Sequence, residues 1–109
     1  TYDLLQKGGF ISPSQIISPR MATDEEIAYI HTEEYINAVK RAGEGKLEKS
    51  IAMTYGLGTE DTPMFQNMHE ASALLVGGTL TAVDAVLSGK VKHALNLGGG
   101  LHHGFLLYL

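Results

Sequence analysis

The sequence predicts a helix-rich α/β protein, and three observations carry that expectation. A long segment rich in Ala, Leu, Val and Gly runs from about Asn67 or His69 to Leu87 with three-and-four apolar spacing. It leads into a short apolar stretch, His93-Ala94-Leu95-Asn96-Leu97, which suits a buried strand. That stretch stops at Gly98-Gly99-Gly100. A helix feeding a buried strand that ends in glycines is the order of elements in an α/β sheet. In such sheets ligands bind beyond the carboxyl ends of the strands.

The other elements follow in chain order. Tyr2 to Lys7 reads as a helix end, stopped by Gly8-Gly9. Residues 10–20 carry Pro13 and Pro19 among Ser and Ile, which suits an irregular connector. Thr23 followed by Glu26 is a capping box, and Asp24, Glu25 and Glu26 crowd a first turn that the helix dipole favours. The helix begun there is predicted over residues 24–41, with Ile27, Ile30, Glu34 and Ala38 on one face. A break falls near His31-Thr32, where Thr32 opens a second short helix. Residues 43–50 read as a polar linker, residues 51–58 as a short extended piece, and residues 56–63 as a loop. In the long helix, Ala71, Leu74, Leu75, Gly78, Ala82, Ala85 and Val86 share the apolar face, so it is expected to be largely buried. Gly77-Gly78 lowers helix propensity by about 1 kcal/mol each relative to Ala, and close packing against a sheet is the expected reason.

Composition narrows the partners. The chain has 109 residues, enough for a single domain or part of one, and it would bury only about two-thirds of its unfolded surface standing alone. Its ends read as those of a single partial domain over residues 1–109, open at both sides. The formal net charge is −4 and the eight Lys and Arg are scattered, which argues against a nucleic-acid partner. The absence of cysteine excludes disulfides and thiolate zinc sites. No uninterrupted apolar run reaches the roughly 20 residues of a membrane span, and no signal-like stretch opens the chain, so a cytoplasmic protein without a membrane partner is expected. The apolar end Phe105-Leu106-Leu107-Tyr108-Leu109 leaves self-association open.

The chemistry concentrates after the strand. His102 and His103 are adjacent, and neighbouring side chains diverge on both strands and helices. They serve one site only where the backbone departs from regular structure, and the three preceding glycines permit that. Histidine titrates near neutrality and can take and return a proton within one turnover. Taken singly, His31, His69 and His93 read as structural. A glycine turn also cradles phosphate in nucleotide-binding folds. Residues 98–100 fit neither G-x-G-x-x-G nor the P-loop, since no Lys-Ser or Lys-Thr follows. Anion binding stays as an alternative.

Three segments resemble the histone deacetylase superfamily. Asn96-Leu97-Gly98-Gly99-Gly100-Leu101-His102-His103-Gly104 is similar to its tandem-histidine motif. Tyr29-Ile30-His31-Thr32-Glu33-Glu34-Tyr35-Ile36 resembles an early helical segment of that family. Gly56-Leu57-Gly58-Thr59-Glu60-Asp61-Thr62-Pro63-Met64-Phe65 resembles its active-site rim loop. The wording is nearest to the bacterial acetoin utilization deacetylases.

The resemblance implies the N-terminal part of an arginase–deacetylase-like parallel-sheet α/β fold and zinc-dependent removal of acetyl from a lysine amide. The substrate would be an acetylated protein or an acetylated amine. By this resemblance His103 is the general base and then the general acid, and His102 stabilises charge and positions the water. Asp61 is the rim aspartate that holds the substrate backbone. Gly99 and Gly100 line the tunnel floor. The family takes its zinc on an Asp-x-His pair and a further Asp downstream of the histidine motif. No such set occurs in this sequence, which implies zinc without its ligands and a chain inactive by itself. The ending Leu106-Leu107-Tyr108-Leu109 also departs from the family's Gly-rich continuation. A non-catalytic binding fragment and an anion-binding α/β protein are the other readings.

Overall fold

The computed structural model of the chain describes residues 1–100; the segment bearing His102 and His103 lies outside them. Five α-helices follow one another: α1 (Tyr2–Lys7), α2 (Asp24–Ile27), α3 (Glu33–Gly43), α4 (Lys49–Thr54) and α5 (Met68–Leu87). A single 3₁₀ turn, Pro13–Gln15, interrupts the connector between α1 and α2. The helix-rich character expected from the sequence is present, and no β-strand occurs among the described residues.

Local chemistry explains the helix ends. α1 closes where the Gly8 amide donates to the Leu4 carbonyl at 2.9 Å, and Gly9 follows at φ +75. Thr23 and Glu26 form the reciprocal capping box at the start of α2. The Glu26 amide donates to Thr23 Oγ1 at 3.2 Å and the Thr23 amide to Glu26 Oε1 at 3.0 Å. α2 lasts one turn. Thr32 then caps α3, its hydroxyl accepting from the Tyr35 amide at 3.1 Å. The span 24–41 is therefore two helices, and the division falls at His31-Thr32.

Two of the expected extended segments are corrected. Residues 51–58 are not extended, because α4 occupies Lys49–Thr54 and Gly56 turns the chain at φ +73. A short apolar run does not reveal its period. Here the helical form seats Ala52 at 0% exposure in a cluster with Ala42, Leu57 and Met68. Residues 93–97 pair with no neighbouring strand. A strand is stable only in a ladder, and no strand occurs among the described residues to pair with this segment.

α5 organises the remainder. It begins at Asn67, which sits in the left-handed region at φ 62, and ends at Ser88 before Gly89 at φ +80. α3 packs against its first turns, where a Cβ on Gly43 would come within 3.2 Å of the Met68 nitrogen. The connector before α2 crosses it further on, the Ala22 amide donating to the Ala73 carbonyl at 2.9 Å. Gly77 faces this crossing, so its close neighbour is connector backbone and not a sheet.

The helix is not largely buried. Met68, Ala73, Gly77 and Ala85 are covered, whereas Leu74, Leu75, Val76, Val83, Val86 and Leu87 are exposed. Among these, Leu75 has the glycine turn lying over part of it. With 20 residues and an 18-residue stretch of mean hydropathy 1.4, α5 is long and apolar enough to cross a membrane by length and composition, which the reading of uninterrupted apolar runs did not register. Buried core helices of water-soluble folds meet the same criterion. Buried side chains elsewhere are small, chiefly alanines, and the radius of gyration is 16.3 Å, against about 13 Å for a compact chain of this length.

Candidate functional site

The glycine turn is built onto α5 through one side chain. The Asn96 amide nitrogen donates to the Leu75 carbonyl at 3.2 Å and lies 3.0 Å from Thr79 Oγ1. Its amide oxygen accepts from the Gly98 backbone N–H at 3.5 Å. A carbonyl only accepts and a backbone N–H only donates, so both ends of the amide have one sensible orientation. Leu95 and Leu97, on either side, are 76% and 54% exposed. The polar residue of this extended stretch thus faces the helix and the leucines remain exposed.

Beyond Asn96 the backbone takes a path that favours glycine. Gly98 lies over Leu75, where a Cβ would approach Cδ2 to 2.7 Å. Gly99 and Gly100 have φ +87 and +90, a region that side chains with a Cβ rarely adopt. A Cβ on Gly100 would meet nothing within 4 Å. Conformation, not crowding by the described residues, is what calls for glycine at that position.

The second candidate element is the loop bearing Asp61. Thr62 Oγ1 donates to the Gly56 carbonyl at 2.6 Å, and the Thr59 and Thr62 hydroxyls lie 2.6 Å apart. The Gly58 amide donates to the Thr62 carbonyl at 2.8 Å, and the Thr62 amide to Thr59 Oγ1 at 3.1 Å. Leu57 roots the loop in the core cluster with Ala42, Ala52 and Met68. Asp61 rides on this cross-braced turn with its side chain exposed. The loop adjoins the start of α5 and the glycine turn adjoins residues 75–79. Along the helix axis those points are about 10 to 16 Å apart.

The other histidines occupy separate places. His69 on α5 is mostly buried, with Nε2 3.3 Å from Asp24 Oδ1, and Lys40 pairs with the same carboxylate. The Lys40 hydrogen bond, with the Lys40 and His69 charges behind it, holds the Asp24 carboxyl below its ordinary range. His69 ties α5 to α2, a structural role. His31 stacks on Tyr35 with ring centroids 5.3 Å apart. His93 is exposed. A further open groove of about 740 Å³ lies between the end of α3 and the start of α5, lined by Gly43, Lys46, Leu47, Met64, Phe65 and Asn67. Met64 and Phe65, at the end of the rim-loop motif, line it, whereas Asp61, Gly99 and Gly100 do not.

Asn96 is the residue whose role sequence reading missed. The signal was available: a carboxamide inside an apolar stretch must find hydrogen-bond partners, and two glycines sit on the helix that precedes it.

The histone deacetylase domain pattern matches residues 1–106, and the chain belongs to that family. It is 59% identical over 105 residues to the acetoin utilization protein AcuC of Bacillus subtilis (strain 168), a match covering 96% of this chain and 27% of that protein. The protein of the same name from Staphylococcus aureus (strain MRSA252) is 44% identical over 115 residues, covering 99% of this chain and 30% of the relative. Among solved structures, the crystal structure of an HDAC homolog complexed with SAHA superposes with a TM-score of 0.67 at 32% identity. That match covers 74% of this chain and 22% of the homolog. The chain therefore spans under a third of the length of the relatives it matches.

The family implies zinc. The described residues do not fit a zinc site, because no group of three or more His, Cys, Asp or Glu among them is placed to hold a metal ion. The Asp24–His69 pair offers two groups at most, and Lys40 already occupies the carboxylate.

Proposed function

We propose that these residues form the proton-transfer and substrate-rim portion of a deacetylase-like site that hydrolyses the acetyl amide of a lysine side chain or a similar amine. The observation that supports it most is the family match, which runs through the Asp61 loop, the glycine turn and the histidine pair together. In this reading His103 takes a proton from the attacking water and returns it to the departing amine, so that amide and water become acetate and free amine. His102 stabilises the charge that develops and positions the water. Asp61 accepts hydrogen bonds from the substrate backbone. Gly99 and Gly100 form the tunnel floor, with their left-handed backbone carrying the chain toward His102. Zinc is the metal the family implies, and no step is assigned to it because the described residues do not hold it. The same reading places the protein in the cytoplasm and treats residues 1–109 as a partial domain within a parallel-sheet α/β fold.

The test is acetate release from an acetyl-lysine peptide by the natural full-length protein. His103→Ala should lower the rate by at least about 100-fold while peptide binding persists. Wild-type turnover by that variant would overturn the assignment. The 109-residue chain alone should release no acetate. A second reading, association through an apolar face, is favoured by the exposed Leu74, Leu75, Val83, Val86 and Leu87 of α5. It predicts a mass in solution that rises with concentration.

A further inference from the structure

The two adjacent glycines of α5 serve different neighbours. Gly77 admits the connector at Arg20 and Ala22, and Gly78 admits Asn96. A Cβ on Gly78 would lie 3.0 Å from Asn96 Nδ2 and 3.1 Å from both Cγ and Oδ1. Gly78 therefore leaves the recess into which the Asn96 carboxamide fits, and the Leu75 carbonyl and Thr79 hydroxyl, 3.2 and 3.0 Å away, supply its acceptors. The same side chain takes the Gly98 amide, two residues further on, at the start of the glycine turn.

Nothing else polar among the described residues ties this turn down. Leu95 and Leu97 are exposed, and Gly98 makes its approach to Leu75 through backbone alone. Glycines at φ +87 and +90 are free to adopt other conformations. A chain path through them is reproducible only if its entry is fixed. We infer that Asn96 is a positioning residue for the histidine pair: docked in the Gly78 recess, it fixes where the glycine turn that precedes the pair in sequence leaves α5. This inference rests on the deacetylase reading of the histidines, but the anchoring of the turn does not.

A positioning role makes a specific demand on kinetics. A small misplacement of a proton-transfer group costs up to about 100-fold in rate without weakening the grip on substrate elsewhere. Asn96→Asp keeps the shape and the acceptor for the Gly98 amide while turning the two donors into a carboxylate that faces the Leu75 carbonyl. Thr79→Val removes one acceptor and leaves Asn96 in place, and Thr79→Ser restores it.

The experiment measures kcat and KM for an acetyl-lysine peptide, the melting temperature, and amide hydrogen exchange at residues 98–100, all on the natural full-length protein. Asn96→Asp should lower kcat by about tenfold or more with KM within about twofold of wild type. Thr79→Val should lower kcat several-fold and Thr79→Ser should recover it. Exchange at residues 98–100 should quicken by about tenfold in Asn96→Asp. Wild-type kcat in a folded Asn96→Asp protein overturns the inference. So does a loss of kcat matched by an equal rise in KM and a collapse in melting temperature, since that marks a merely structural residue. If the wild-type protein releases no acetate, the deacetylase reading fails by itself. The exchange rates then decide the anchor, and unchanged exchange in Asn96→Asp overturns it.

Discussion

The Arg20 carbonyl occupies the space that a side chain on Gly77 would fill. A Cβ there would overlap the carbonyl oxygen and come within 2.7 Å of its carbon and 2.9 Å of the Ala22 nitrogen. Around this crossing the Ala22 amide donates to the Ala73 carbonyl, and the Arg20 amide to Thr81 Oγ1 at 3.2 Å. Thr81 Oγ1 in turn donates to the Gly77 carbonyl at 2.8 Å. The connector thus lies flat on α5 because one residue there has no side chain.

Gly77→Ala tests two opposed effects. Helix propensity alone favours alanine by about 1 kcal/mol. Overpacking against backbone costs about 1–3 kcal/mol, and two hydrogen bonds that loosen with the connector add about 1 kcal/mol each. Packing should win, leaving the variant destabilised by about 2–4 kcal/mol. Chemical denaturation compares the two chains. A Gly77→Ala protein as stable as wild type would mean that the connector does not sit where the structure puts it.

Acid should loosen the same region. Glu26 receives two hydrogen bonds from the Arg20 guanidinium at 2.7 Å each, and the Thr23 amide adds another. These partners, Arg20 foremost, hold its carboxyl down from an ordinary 4.5 to about 2. A carboxyl whose folded pKa is depressed adds stability above its unfolded value and loses it as pH falls through the folded one. Asp24, held low chiefly by Lys40, has the same sign. Melting temperature should therefore fall as pH drops from about 4.5 to about 2. Glu26→Gln keeps an oxygen for the Thr23 amide but has no charge to lose, so its acid limb should be flatter. Parallel limbs in the two proteins would count against the pairing.

Capping chemistry was legible because it is local. Thr23, Glu26 and Thr32 declare two helix starts from side chains within three residues of the amides they serve. The α5 span was legible from its period. Packing partners were not, since sequence spacing marks an apolar face without saying what lies on it. Gly77 announced a close approach but not that Arg20, far earlier in the chain, makes it. The extended segment at residues 93–97 shows the limit most clearly. Its apolar composition and glycine end suggested a buried strand, yet Asn96 faces α5 and the leucines are exposed, because a strand's partners are never in its own sequence. For the site, Asp61, Gly99 and Gly100 were found through the family motif, and only their backbone setting is physical observation.

The Asp61 loop yields a prediction about binding rather than chemistry. Its brace is Thr62, whose hydroxyl spans to the Gly56 carbonyl and the Thr59 hydroxyl, while the Asp61 side chain remains exposed. Under the deacetylase reading, a carboxylate that accepts from the substrate backbone holds the ground state and the transition state alike. Losing such a contact raises KM and leaves kcat nearly alone. Hydrogen bonds to charged groups are worth about 1.5–3 kcal/mol, so Asp61→Ala should raise KM by at least about tenfold. Asp61→Asn keeps one acceptor and should fall between. Thr62→Val leaves the carboxylate but loosens its support, and a rise of a few-fold is expected. Steady-state kinetics on the natural full-length protein separates these cases. A drop in kcat at constant KM in Asp61→Ala would move the residue from the substrate rim into the reacting centre.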